Sequence, residues 1–580
     1  MTSASADVVL RVGSGCTYSN IQAAINAIPI QGSGVIRIRS GTFNENLSIV
    51  GKTVELLGGH ANCTTTSPTG TTQINGSGST SSVISFLVLA GPTNASHTLV
   101  TERLLLFGGT GNALSPGGGI TVFADTGRTA AVTLEQTIVR GNQTSLRGGG
   151  IMMHGPGSGS LTLLGNSQID GNRVTGTSPY GGGLYCAGNF GILVIGGSVL
   201  GNTAGAAGDS SGRGGGIYLD GCDMNWFAQN ALAVSDDASL RNNVVYGNGA
   251  GLYAEGAADV SLSGSHFALG GSISSRPLRI RDNRAIGATG SGGGVAGGIG
   301  GGVYATGAGT EVTVDRAWTY NNEADAAGGA FSSQDGAFVE VVRASQTCHT
   351  PRNCSRIFDN HATIASGALE VRRAQATISR TIVTRNDSVF GGVGTRASIY
   401  GFESTVRVRD SLVHGPVGPG HALASWGGEM RVERSTIADT SPSRAVFGLN
   451  GNARLDLFNS IVHEAAGGPV VNVGGGTPTA SVDCVLWHDD GLAGFGSATR
   501  TVLGDPRFVD RQNDLFYLRP GSPAINFCNV APPAPAVDLD WNPRGICHSV
   551  EPPICPVEQI YDLGAYEFPL GLFSDRFEAR

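Results

Sequence analysis

Lysine is nearly missing from this chain. Lys52 is the only one in 580 residues, and every other residue of its 37 Lys and Arg is arginine. The arginines are scattered, no basic run occurs and the formal net charge is −8, which disfavours a nucleic-acid or anionic-membrane partner. Charged residues reach only 14% and aromatic ones 7%. No apolar run is long enough to span a bilayer, and the opening "MTSASADVVL" has neither the basic nor the apolar region of a signal peptide. The 91 glycines lack the Gly-X-Y period, which excludes collagen, and a 40% hydrophobic share argues against disorder.

What the chain has in abundance is repetition. "RGGGIYLDGC" at 213–222 returns as "GGGITV" from Gly117, "GGGIMM" from Gly148, "GGGLYC" from Gly181 and "GGGVYA" from Gly300, with looser copies from Gly249 and Gly328. From Gly117 to Gly214 the steps are 31, 33 and 33 residues, a period that means a solenoid, propeller or array. A second column places asparagine three residues after an apolar one: Val139/Asn142, Ile169/Asn172, Val199/Asn202, Val245/Asn248, Ile280/Asn283, Trp318/Asn321, Ile357/Asn360 and Val383/Asn386. A third column sets Ser or Thr before an apolar strand at Thr137, Ser167, Ser198, Thr381, Ser411, Ser435 and Ser460, the last four spaced 30, 24 and 25 residues apart.

These columns describe stacked coils. Asparagine tolerates the left-handed turns that coils need, and stacked asparagines bond to one another as a ladder. Glycine permits positive φ and close approach of one coil to the next. These glycines open strands, whereas a phosphate-cradling loop opens a helix. Four-stranded propeller blades predict a longer and steadier period. The expected fold is therefore an all-β parallel β-helix over residues 31–500, with about 15 coils at roughly 30 residues each.

Residues 1–30 read as an N-terminal cap. In "TYSNIQAAINAIP" Ser19 and Gln22 form a capping box, Ile21, Ala24, Ile25 and Ile28 share one face, and Pro29 ends the helix. Beyond about residue 500 the repeat stops, so 501–580 read as a turn-rich cap or module ending in an exposed tail. Ten cysteines without zinc-site spacing point to disulfides, an oxidising compartment and a secreted protein whose signal has been removed. Cys348 and Cys354 close a tight loop, Cys186 and Cys222 fall at nearby points of successive repeats, and Cys528, Cys547 and Cys555 crowd the C-terminal region.

With these residues placed, the chain resembles right-handed parallel β-helix proteins of the pectin-lyase-like superfamily, through "TYSNIQAAINAIP" and "IRIRSGTFNENLSIVGKTVELLGG". The glycine and asparagine repeats are similar to those of polymorphic outer-membrane proteins of bacteria, although no autotransporter barrel follows. "DPRFVDRQNDLFYLRPGSPAIN", with the later "YDLGAYEF", resembles the choice-of-anchor Q module of surface-anchored bacterial proteins. The resemblance implies a right-handed coil and a place outside the cell or on its surface. It says little about chemistry, because one fold hosts many functions.

The leading expectation is a monomeric repeat protein that presents loops for adhesion or glycan binding. The competing class is a secreted polysaccharide lyase, hydrolase or esterase, and a third is a structural rod without a specific ligand. "GTFNEN" resembles pectinesterase-like enzymes, but their further segments are absent, so Glu45 reads as a surface residue. Insertions at 222–248 and 264–299 are where recognition tends to lie. There Trp226 and Phe227 are candidates for stacking on sugar rings, with Asp236 and Asp237 for hydrogen bonds or a cation, against the plainer reading of a loop cluster covering the coils. Asp538, Asp540 and Asp562 are candidate calcium ligands, or else cap turns and pair with Arg544. No other cofactor is expected. Arg380, Asp410 and Arg434 read as a charge ladder between coils, and His488, Asp489 and Asp490 as a turn.

Overall fold

The computed structural model describes residues 8–89, 95–228, 238–269, 272–289, 295–343, 355–389, 397–415, 420–438, 445–463, 470–488, 497–529, 537–545 and 561–568. It is all-β, 58% strand and 2% helix, a parallel β-helix. Around residue 130 a coil contributes three strands to one large parallel sheet, and a short fourth, Gln143–Thr144, pairs with Arg173–Val174 in a second sheet. Ile120–Ala124 pairs in parallel with Ile84–Val88 of the preceding coil and Ile151–His154 of the next. Thr129–Glu135 does so with Ser96–Glu102 and Ser158–Leu164, and Ile138–Arg140 with Leu104–Phe107 and Gln168–Asp170. Alternation sets the register: in "TAAVTLE", Ala130, Val132 and Leu134 are buried while the residues between them are half-buried. A slip of one residue would turn the apolar set outward.

The chain forms two compact units, one of Met1–Val312 with Asn322–Ala326 and one of Thr313–Asn321 with Ala327–Arg580. In the first, helix α1 spans Ile21–Ala27 and buries Ile21, Ala24 and Ile25 against Val8–Val12, Ser33–Arg39 and Leu47–Val50. Its cap differs from the Ser19 box. Asn20 is the N-cap and accepts from Ala23 N at 2.8 Å, while Gln22 donates to Asn26 and Ser48. Glu45, read above as a surface residue, accepts from Ile21 N and Gln22 N at 2.8 and 2.9 Å, holding a carboxylate against the helix N-terminus. Lys52, the lone lysine, donates to Ile25 O at 2.9 Å near the other end.

The asparagine ladder runs Asn142, Asn172, Asn202, Asn243, Asn283, Asn322, each side-chain amide donating to the next Oδ1 at 2.9–3.0 Å. Each Oδ1 also accepts the backbone N–H of the preceding asparagine. Two expected members are thereby corrected. Asn248 instead accepts from Ile299 N, and the rung belongs to Asn243, three residues after the buried Leu240. Asn321 is exposed at φ 52°, and Asn322 takes its place because the inward residue is Thr319, not Trp318. In the second unit Asn360 donates to Asn386 at 2.8 Å.

The glycine triplets do what their spacing suggests. Gly181 has φ +65°, and a Cβ on Gly182 would lie 2.3 Å from Gly215 O of the next coil. After the triplets, Tyr185, Tyr218, Tyr253 and Tyr304 stack coil upon coil with ring centroids 5.1, 5.4 and 4.7 Å apart. All four are buried, and Glu255 accepts from the Tyr218 and Tyr253 hydroxyls and from Arg213. Disulfides Cys16–Cys63 and Cys186–Cys222 lie in this unit, and Cys484–Cys528 in the other. Cys348, Cys354, Cys547 and Cys555 lie outside the described residues.

In the second unit Thr381, Ser411, Ser435 and Ser460 form a hydroxyl ladder, each Oγ of the following coil accepting the backbone N–H before it at 3.1–3.2 Å. The segment after residue 503 belongs to the same compact unit. Its Phe508, Phe516, Leu518, Leu539, Leu563 and Tyr566 share one apolar cluster with Leu412, Ile461 and Leu486 of the coils. Buried charges join it too. Arg434 grips Asp410 through Nε and Nη2 at 2.8 and 2.9 Å, and Arg544 reaches Asp410 at 3.3 Å and Glu567 at 3.0 Å. Arg380 leaves the expected alternating ladder: its Nε donates to Arg343 O, and its guanidinium lies 5.0 Å from the Trp541 ring centroid.

Candidate functional site

The aromatic pair singled out in the sequence divides between core and surface. Trp226 is 0% exposed, because strand alternation in Asp223–Phe227 points it inward between Val194 and Leu262 of the adjacent coils. It is a core residue, not a ligand platform. Phe227 points the other way and is 41% exposed. Asp236 and Asp237 lie outside the described residues, as do Asp489 and Asp490.

The three aspartates expected as calcium ligands are engaged by hydrogen bonds within the protein. Asp538 accepts from Asn542 N, Asn542 Nδ2 and Glu567 N at 2.7–2.9 Å. Asp562 accepts from Asn526 N and Phe568 N, both at 2.7 Å, and Asp540 from the Tyr517 hydroxyl at 2.5 Å. Burial, with Asp538 beside it, pushes Asp540 up to about 7, which weakens it further as a cation ligand. Among the described residues these carboxylates do not converge as a metal-ligand group.

Two surfaces of the second unit emerge instead. The first is an outward row on successive coils: Arg372, Phe402 and Trp426 are register neighbours. Trp426 is 44% exposed and Phe402 half-buried, and the Arg372 guanidinium sits 4.6 Å from the Phe402 ring centroid. Strand spacing sets such neighbours about 4.8 Å apart, so they form one continuous face. Among the described residues, Trp426 and Phe227 are the aromatic side chains most open to water.

The second is a cleft of about 600 Å³ lined by His463, His488, Asp505, Arg507, Phe508, Arg511, Arg519 and Pro520. Coil stacking builds it. Val462 and Trp487 are register partners, so the residues that follow them, His463 and His488, meet with ring centroids 4.2 Å apart. Arg511 Nη1 donates to His463 Nε2 at 3.1 Å. Burial, then the neighbouring His488 and Arg511, push His463 down to about 4, so its imidazole is neutral at pH 7. Asp505 Oδ1 accepts from Arg507 N at 2.8 Å, and Arg519 Nη2 donates to Val509 O. His463, His488 and Asp505 each offer a ligand atom, and these atoms lie within 4.8 Å of one another. Of these residues only His488 had drawn notice in the sequence. The overlooked signal is the 25-residue step from His463 to His488, which equals the local coil period of Ser435 to Ser460.

Fold and surfaces together define a disulfide-bonded parallel β-helix with an aromatic face and a basic cleft on one unit. No family model matches the chain, and no curated protein matches it.

Proposed function

We propose that this protein is a secreted or cell-surface β-helix protein that binds a glycan, with the Arg372, Phe402 and Trp426 face as its contact surface. The exposed Trp426 beside Phe402 is the observation that carries the reading. Flat aromatic faces receive the C–H faces of sugars, and an adjacent arginine supplies donors for hydroxyls or carboxylates. The disulfides fit an oxidising compartment, and the resemblance to polymorphic outer-membrane and anchor-bearing proteins supports the surface location. Among the described residues no helix is long and apolar enough to cross a membrane.

The test is binding of purified protein to an immobilised panel of acidic and neutral polysaccharides. Trp426→Ala is expected to weaken binding roughly tenfold or more, the loss typical of an exposed anchor. Absence of binding across the panel, or binding indifferent to Trp426, would refute the reading. A second reading, polysaccharide breakdown, is favoured by His463, His488 and Asp505 around one cleft, since general acid–base chemistry needs such paired groups. Saturable release of reducing ends or unsaturated products would establish it in place of the first.

A further inference from the structure

We propose that the cleft around His463 and His488 is a binding site for a small oxyanion carrying two negative charges, such as a dicarboxylate or sulfate. The inference is independent of the glycan reading.

The lining decides the sign of the ligand. Among the described residues, three arginines, Arg507, Arg511 and Arg519, face one cleft with one carboxylate, Asp505. Without counting the imidazoles, that is three positive charges against one negative among the described lining residues, on a chain whose net charge is −8. Such a concentration of one sign in a concave site focuses the field and raises the local concentration of the opposite ion. Among the described residues, Arg507 and Arg519 pair with no carboxylate.

The same residues invite a metal reading, since two histidines and an aspartate are a familiar ligand set. Two observations turn the choice toward the anion. The His463 Nε2 lone pair is already engaged by Arg511 at 3.1 Å, and a cation there would have to displace that guanidinium. A divalent cation would also add its charge to three arginines that, among the described lining residues, Asp505 alone offsets. An oxyanion gains from all three arginines. The guanidinium fork matches a carboxylate or sulfate edge in geometry as well as charge. The Arg519 and Arg511 anchors, on Val509 O and His463, hold two of the three heads in place before a ligand arrives. Phe508 and Pro520 supply an apolar part of the wall for a short carbon chain.

The experiment is calorimetric titration of the full chain with succinate, inorganic sulfate, neutral succinamide and zinc chloride in parallel, with thermal melting of every variant as a check on folding. Succinate or sulfate is expected to bind one per chain and to weaken with added sodium chloride, while succinamide does not bind. Arg507→Met is expected to weaken that binding about tenfold, the worth of one charge-assisted contact. Arg507→Lys keeps part of it, and Trp426→Ala leaves it unchanged. Absence of binding by either anion at millimolar concentration overturns the proposal, as does anion binding indifferent to a folded Arg507→Met variant. Zinc binding one per chain that is lost in His488→Ala, with no anion bound, assigns the three ligands to a metal instead.

Discussion

At the scale of single residues, the asparagine ladder shows how one side chain is used to its full capacity. Asn172 accepts twice through Oδ1, from the backbone and side chain of Asn142, and donates through Nδ2 to Asn202 Oδ1 and Val139 O. Aspartate has nearly the same shape but no donor, so Asn172→Asp would press a carboxylate against two acceptors in a buried site. The expected cost is about 3 kcal/mol or more, since each buried group left unsatisfied costs roughly 1–3 kcal/mol. Urea unfolding at neutral pH would measure it. Asn142→Asp, whose amide makes a similar set of bonds, is expected to behave alike, while Asn248→Asp is expected to cost little, because that residue is off the ladder and serves only as an acceptor for Ile299 N.

The ladder also shows what the sequence could and could not tell. Its period was legible because glycine triplets and asparagines are forced by backbone contact between coils, and such contacts recur at each turn. Its register failed at Asn248 and Asn321. Each lies close to a competing asparagine, in "RNNVVYGN" and "YNNE", and an apolar residue three positions earlier was the wrong guide where Thr319 pointed inward. Trp226 was misplaced for a related reason: strand alternation, which a loop reading ignored, decides which of two adjacent aromatics faces the core.

At the scale of elements, the C-terminal segment is held to the coils by a buried polar network as well as apolar contact. Arg544 donates to Glu567 and Gly564 O at 3.0 and 2.9 Å and lies 3.3 Å from Asp410, which Arg434 also grips. Taking these charges out of water is costly, and each is tolerated because its partners are already in place. Removing one partner leaves the others buried and uncompensated. Arg544→Met is therefore expected to destabilise the second unit by about 3–5 kcal/mol. The double variant Arg544→Met with Glu567→Gln is expected to recover part of that loss, because Glu567, which Arg544 contacts at 3.0 Å, would otherwise be left buried without that partner. If the two single losses simply add, the groups do not act as a pair. The sequence suggested a ladder of Arg380, Asp410 and Arg434 but gave no sign that Arg544 would complete it, since Arg434 and Arg544 are 110 positions apart with no periodic signal linking them.

At the scale of the whole molecule, two sets of buried groups oppose each other as pH changes. Burial, with Arg356 and Arg385 nearby, pushes His414 down to about 4, and His463 is held at about 4 in the cleft. Between pH 4 and 6.5 the unfolded chain therefore binds more protons at these sites, so their contribution to stability is full above 6.5 and lost as pH falls toward 4. Glu567 and Asp540 act in the other direction. Burial raises them to about 8 and about 7, so the folded chain holds the extra protons, and their contribution is full below the ordinary carboxylate range and lost as pH rises through 7 and 8. The slopes cancel in part between about pH 4.5 and 6.5, and stability is expected to fall on both sides of a broad, mildly acidic plateau. His414→Phe, which keeps a ring against Phe516, is expected to flatten the acid limb. Glu567→Gln is expected to flatten the alkaline limb. Chemical unfolding of the three proteins from pH 4 to 9 would measure both. If neither substitution changes the limb assigned to it, these buried groups do not set the pH dependence, and the paired surface carboxylates become the groups to substitute next.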